Sequence, residues 1–520
     1  MQGIVNMVEQ FPVLIITVGV FLAYTILLLG WVNKKLSFYL CFATISAQLI
    51  MAIFILRHVL TVGVIHYWLG GWRPPWGIEY VVDALNGYVL VVLLFLSLLC
   101  VLYSKRSILH KIEEKKVVTF YTIFQLMVSG LAGVVVTGDV FNMYVLFEVG
   151  SLTSYALIAV AGGKALKASF NYLVLGSVGI CFYLLGVGFL YSVTGTLNMA
   201  DMRILLPPLY GNHIVQTAYA FMLVGFGIKM AFFPLHMWLP DAHSFAPSEI
   251  SAMLSGIIIE VGTYAFLRIT FSVFTVEFLK VFPIFDLISW LAAIAIIYGS
   301  VMAIAQLNLK RMLAYSSVAQ MGYIMLGIGL CISTKHVLWG GLTPALMHIL
   351  NHALMKGCLF MVAGAFIYKA DLWNISDLRG LGRKMPWTCG AFVLAAISMI
   401  GVPPSVGFVT KVYLIFAVVE AGNFIFMAII LLSTLLNLVY FWRVIETLYM
   451  RVGEHGPHHE YAEPVKRDEI PLTMLVPVLI LGSLCFIMGI IWLTELPITG
   501  AIPIMDSVNK LFGLGVYSVP

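Results

Sequence analysis

Apolar runs that are long and unalternated constrain this chain more than any single residue does, Phe11 to Leu29 being one of them. A helix needs about 20 consecutive apolar residues to cross a bilayer, whereas a barrel strand shows about ten residues of alternation. Hydrophobic residues make up 61% of 520 and charged residues only 10%; soluble domains are about a quarter charged. The expected fold is therefore an all-α polytopic membrane protein, because in lipid a helix satisfies its own backbone. At about 20 residues per span the apolar content allows at most roughly fifteen spans.

Hydropathy places fourteen of them, near 11–31, 36–57, 81–103, 117–136, 141–161, 170–193, 219–239, 250–272, 284–305, 312–332, 342–367, 391–420, 423–447 and 471–494. The leader MQGIVNMVEQ carries no Lys or Arg, so the first span reads as a retained helix rather than a signal peptide. Odd-numbered connections hold eighteen Lys and Arg, including Lys34, Lys35, Lys105, Arg106, Lys111, Lys310 and Arg311. Even ones hold seven: Arg57, Arg73, Arg203, Arg268, Lys280, Lys335 and Lys510. By the positive-inside rule both termini face away from the cytoplasm. The net charge of +5 belongs to this loop bias and implies no nucleic-acid partner. The cysteines Cys41, Cys100, Cys181, Cys331, Cys358, Cys389 and Cys485 show no metal-ligand spacing and read as core packing. The longest connection, 448–470, holds His455, His458 and His459; a solvated histidine-rich loop is preferred to a metal site.

With no soluble domain of useful size, the chemistry has to lie inside the bilayer. Glu148, Lys229, Glu260, Lys356 and Lys411 fall well within spans. At roughly 2.5 to 3.5 kcal/mol apiece they oppose insertion by on the order of 12 to 17 kcal/mol, too much for five incidental residues. Lys229 lies in GFGIKMAFFPLHMWLPDAH and Lys411 in MIGVPPSVGFVTKVYLIF. Glycines and prolines there predict broken helices, the seventh and the twelfth. Open backbone at that depth is tolerated only inside protein or along a water-filled cavity. One such break in each half points to an inverted-repeat transporter with sites near the midplane. His236 and His243 follow Lys229, and His348, His352 and Lys356 recur every four residues, on one helical face. A polar stripe ending in a lysine favours a proton relay over a metal or haem site, because an ammonium is a poor neighbour for a cation.

The stretches TGDVFNMYVLFEVGSLTSYALI, KMAFFPLHMWLPDAHSFAPSEISAMLSG, LKRMLAYSSVAQMGYIMLG, HILNHALMKGCLFMVAGAF and GVPPSVGFVTKVYLI occur in order. Together they resemble the antiporter-like subunits shared by respiratory complex I, Mrp-type sodium/proton antiporters and membrane-bound hydrogenases, with wording nearer the Mrp and hydrogenase branch. The resemblance covers about 117–447. It implies three leading helices (1–116), a first inverted five-helix repeat (117–272), a second (284–447), and a loop, fourteenth helix and tail (448–520). It also implies roles. Glu148 and Lys229 match a mutually tuning pair, His348, His352 and Lys356 a central polar helix, and Lys411 the ionisable residue of the twelfth helix. Glu260 departs from the pattern, standing where members commonly carry lysine; a proton relay, a sodium site and a structural ion pair are its three readings.

The expectation is a proton- or sodium-translocating subunit of a multi-subunit complex in a prokaryotic cell membrane. Its partners would be further antiporter-like membrane subunits and, in a redox-driven complex, peripheral redox subunits. No cofactor or metal is expected in the chain itself. Two alternatives stay open: a self-sufficient transporter of a small solute, and a haem-binding membrane oxidoreductase subunit.

Overall fold

The computed structural model describes residues 7–334, 340–450, 467–499 and 503–514. The expected histidine-rich loop with His455, His458 and His459 lies outside the described residues. The helices are α1 (Phe11–Val32), α2 (Lys34–Thr61), α3 (Ala84–Lys111), α4 (Val117–Val136), α5 (Val140–Ala159) and α6 (Lys164–Thr194). Next come α7 (His213–Lys229, resuming at Leu239–Phe245), α8 (Ser248–Val281), α9 (Ile284–Ile304), α10 (Leu309–Leu330) and α11 (Thr343–Ala370). The last long ones are α12 (Pro386–Ile400, resuming at Val406–Glu420), α13 (Phe424–Tyr449) and α14 (Leu472–Thr499), with a short helix at Pro503–Leu511 after them. Among the described residues, eleven helices are long and apolar enough to cross a membrane. The other expected spans coincide with α5, whose apolar run is diluted by Asn142, Glu148 and Ser151, and with the interrupted α7 and α12.

Short polar side chains set where helices begin. Asn33 caps α2 through Lys35 N at 3.0 Å, and Asp139 caps α5 through Asn142 N at 2.7 Å. Asp83 and Asn86 form a reciprocal capping box at the start of α3. Each side-chain oxygen takes a backbone N–H that the first helical turn leaves unpaired. Close helix approach is made possible by glycine: a Cβ on Gly225 of α7 would stand 2.6 Å from the Gly179 carbonyl of α6, the small-residue contact that membrane helices favour.

The windows of α8 and α10 are wholly buried, and α11 is nearly so, whereas α1, α2 and α13 bury only a third of theirs. Glu260, Lys310 and Lys356 therefore stand on interior helices, and the outer ones leave Phe21, Leu28, Leu435 and Val439 exposed. Three sequence expectations need correction. Arg268 is not in a connection: α8 runs on to Val281, and Arg268 is buried in an ion pair with Asp83. Lys310 is likewise no loop residue but sits buried in the first turn of α10. Cys181 is exposed on α6, while the other six cysteines are buried.

Between α2 and α3 the chain forms an antiparallel hairpin of β1 (Ile65–Trp68) and β2 (Glu79–Val82). His66 Nδ1 meets Glu79 Oε1 at 2.9 Å, and Asn198 donates to Glu79 Oε2 at 2.9 Å. The hydrogen bond to Glu79 holds His66 above the ordinary imidazole value, against the opposing effect of burial.

Candidate functional site

Each broken helix brings a lysine to its interruption, by a different route. Lys229 is the last residue of the first half of α7. Beyond it Ala231 takes a left-handed φ of 51°, and Trp238 Nε1 donates to the Ile228 carbonyl at 2.8 Å. In α12 the first half ends at Gly401, with φ 90°, and Lys411 reaches back from the second half. Its ammonium donates to the Met399 and Ile400 carbonyls at 3.0 and 2.9 Å. The Lys411 ammonium thus sits at the carboxyl end of a half-helix, where the backbone dipole favours positive charge, whereas at Lys229 it is the residue itself that ends the half-helix. Lys411 also lies 5.3 Å from the Tyr323 ring centre, an arrangement that stabilises a cation.

Lys229 does not close an ion pair on Glu148. It donates to Ser151 Oγ at 2.7 Å, and Glu148, one turn earlier on α5, is half-buried. Ser151 is the partner of Lys229 that the sequence did not single out; its spacing of three from Glu148 was the available signal.

The central helix α11 gathers the remaining candidates. Lys356 donates to the Leu313 carbonyl of α10 at 2.8 Å and to Ser316 Oγ. One turn away, His352 Nδ1 meets Glu260 Oε1 of α8 at 2.6 Å, both residues being fully buried. Glu260 therefore pairs with a histidine, and that histidine is His352 of α11 rather than His243. A further turn along, His348 joins Gln320 Oε1 of α10 at 2.9 Å and Thr410 Oγ1 of α12 at 3.1 Å. Thr410 directly precedes Lys411. Glu260 follows a widened π-helical turn, Leu254–Ile258, within α8, a distortion often found at functional sites. Glu260, His352, His348, Gln320, Thr410 and Lys411 therefore form a buried polar line across four helices.

The last two candidates also stand off this line. His236, in the break of α7, packs against Phe233 and Tyr298 with both ring nitrogens unpartnered. His243 stacks on Phe360 at 4.6 Å, also without a hydrogen bond, but within electrostatic range of Lys310 and Lys356. Among the described residues no group of three or more His, Cys, Asp or Glu converges on a point where a metal could sit.

Residues 137–437 match the family model described as NADH:quinone oxidoreductase/Mrp antiporter, TM. The chain belongs to this family. It is 42% identical over 491 residues to the NADH-quinone oxidoreductase subunit N of Desulforudis audaxviator, covering 93% of this chain and 96% of that protein. It is 32% identical over 472 residues to a subunit of the Na(+)/H(+) antiporter of Bacillus subtilis, covering 90% and 92%. Among solved structures, a chain of the membrane-bound sulfane sulfur reductase, an archaeal respiratory membrane complex, superposes with a TM-score of 0.86. It shares 27% identity and covers 97% of this chain and 98% of that one. As a member of the family, this chain is an antiporter-like, multi-pass membrane subunit, and its relatives fall on both the quinone oxidoreductase and the Mrp sides.

Proposed function

We propose that this chain moves protons across the membrane as one subunit of a multi-subunit energy-converting complex, relaying them through Glu148 and Lys229, the α11 array and Lys411. One observation carries the reading: the buried line in which Glu260 meets His352, His348 stands one helical turn from His352, and Thr410, bonded to His348, directly precedes Lys411. Ionisable groups are retained at membrane depth chiefly where ions pass. Glu260 is engaged by an imidazole rather than grouped with other oxygens, which favours the relay over a sodium site. The interruption of the fourth helix in both α4–α8 and α9–α13 supports two inverted five-helix repeats over 117–272 and 284–447. The basic bias of the odd connections supports both termini lying away from the cytoplasm. Relatives named as subunits of an oxidoreductase and of an antiporter support membrane-subunit partners and, in a redox-driven complex, peripheral redox subunits.

The test is Lys411→Arg in the intact complex reconstituted into liposomes. A guanidinium still donates to the Met399 and Ile400 carbonyls but does not give up its proton. Assembly should persist while translocation is lost; wild-type rates would show that only a fixed charge is needed there.

A further inference from the structure

One buried ionisable cluster has no part in that relay. Glu249, in the first turn of α8, is completely buried. Ser107 of α3 donates to its Oε2 at 3.1 Å, while Oε1 has no hydrogen-bond partner. Three residues earlier, the Ala246 carbonyl accepts from two ammoniums, Lys310 of α10 at 2.7 Å and Lys111 of α3 at 3.3 Å. Both lie within electrostatic range of Glu249, yet neither closes on it. The other titratable groups facing it are Cys100 and Tyr103 of α3 and Tyr121 of α4. Asp371 faces Lys111, whose ammonium also rests over the Trp373 ring.

A buried carboxylate with one oxygen unmet is destabilising by about 1–3 kcal/mol or more, so packing alone gives no reason to keep it. Two neighbouring ammoniums argue against a metal cation as its ligand. A proton fits. Lys111 and Lys310 come from the ends of helices joined by the basic connections, so the cluster stands where the interior meets that face. His243, with both ring nitrogens unpartnered, lies within electrostatic range of Lys310 of this cluster and of Lys356 of α11.

We propose that Glu249 is the proton-loading group on the face of the basic connections, held between Lys111 and Lys310 and delivering to Lys356 by way of His243. The inference rests on the relay reading above. Oε1 takes up a proton; the proton passes to a free ring nitrogen of His243, restoring the carboxylate; the imidazolium gives it to Lys356 Nζ once that nitrogen has passed its own proton into the relay. A loading group matters most when protons are scarce on its own side.

The experiment is proton translocation by the reconstituted complex, measured against pH on that face, for Glu249→Gln, Glu249→Asp and Lys356→Ala. Glu249→Gln should lose about tenfold in rate at the alkaline end and recover at the acid end, moving the half-maximal point down by about one pH unit, a tenfold change in proton concentration. Glu249→Asp should restore much of the wild-type profile, which a merely structural role would not require of a shorter side chain. A wild-type profile in Glu249→Gln, or an equal loss at every pH, overturns the proposal. Lys356→Ala separates the two claims. If it is inactive throughout while Glu249→Gln behaves as wild type, only the loading role fails; if it pumps normally, the relay itself fails.

Discussion

The contact between Glu260 and His352 is the shortest link in the polar line for which a single residue decides the chemistry. Oε1 meets the ring while Glu260 Oε2 and His352 Nε2 have no partner, so a proton has an unoccupied site on either side of the bond. Glu260→Gln keeps an oxygen for His352 and removes the site that changes charge. The expected outcome is an assembled complex with near wild-type thermal stability, strongly impaired proton movement and unaltered sodium dependence, read by scanning fluorimetry and liposome assays. Glu260→Ala should in addition destabilise by about 1–3 kcal/mol, because a buried donor loses its acceptor. Unimpaired pumping in Glu260→Gln would remove it from the path.

Breaks and hairpins act as units. The two halves of α12 approach so closely that a Cβ on Gly407 would run into the Ser398 carbonyl backbone, and the Met399 and Ile400 carbonyls that hold Lys411 come immediately after it. Gly407→Ala should therefore cost about 1–3 kcal/mol through overpacking and slow translocation by displacing those carbonyls. A Tm and a rate equal to wild type would show that the break is looser than its geometry implies. The β1–β2 hairpin has a different sensitivity. Because Glu79 raises His66 in the folded hairpin, the added stability is full below the unfolded imidazole pKa, where His66 is protonated in both states, and is lost as pH rises through the folded value. Hydrogen exchange in 65–82, corrected for intrinsic rates, should accelerate over that window, and His66→Asn should abolish the pH dependence.

For the molecule as a whole, long-range ties decide which helices can move against one another. The clearest is Arg268 of α8, which donates to both oxygens of Asp83 at 2.6 and 2.9 Å and joins α8 to the start of α3. Breaking such a pair by removing one partner is destabilising by about 3–5 kcal/mol. Arg268→Met should lower the Tm of the complex accordingly. Asp83→Asn added to it should recover part of the loss, since asparagine can still cap α3 without a buried charge. A double variant no better than Arg268→Met would place the energy in the packing of the arginine stem.

Hydropathy, interruptions and the inventory of buried charge were legible from the chain because they are local: a run of apolar residues, or Gly401 with Pro403 and Pro404, acts wherever the helix ends up. That was enough to place the interrupted helices α7 and α12 and to single out Lys229, Lys356 and Lys411. Pairing was not legible. Glu260 meets His352, 92 positions away, rather than Lys229 or His243, and Lys229 finds Ser151 before Glu148. Lys310 and Arg268 looked like loop charges yet are buried. Such outcomes depend on how each helix is rotated and how near its neighbours come, and those are fixed by side-chain packing summed over many contacts distant in sequence. Composition and punctuation thus determined that charges would stand inside the membrane, and only tertiary packing decided which of them stand together.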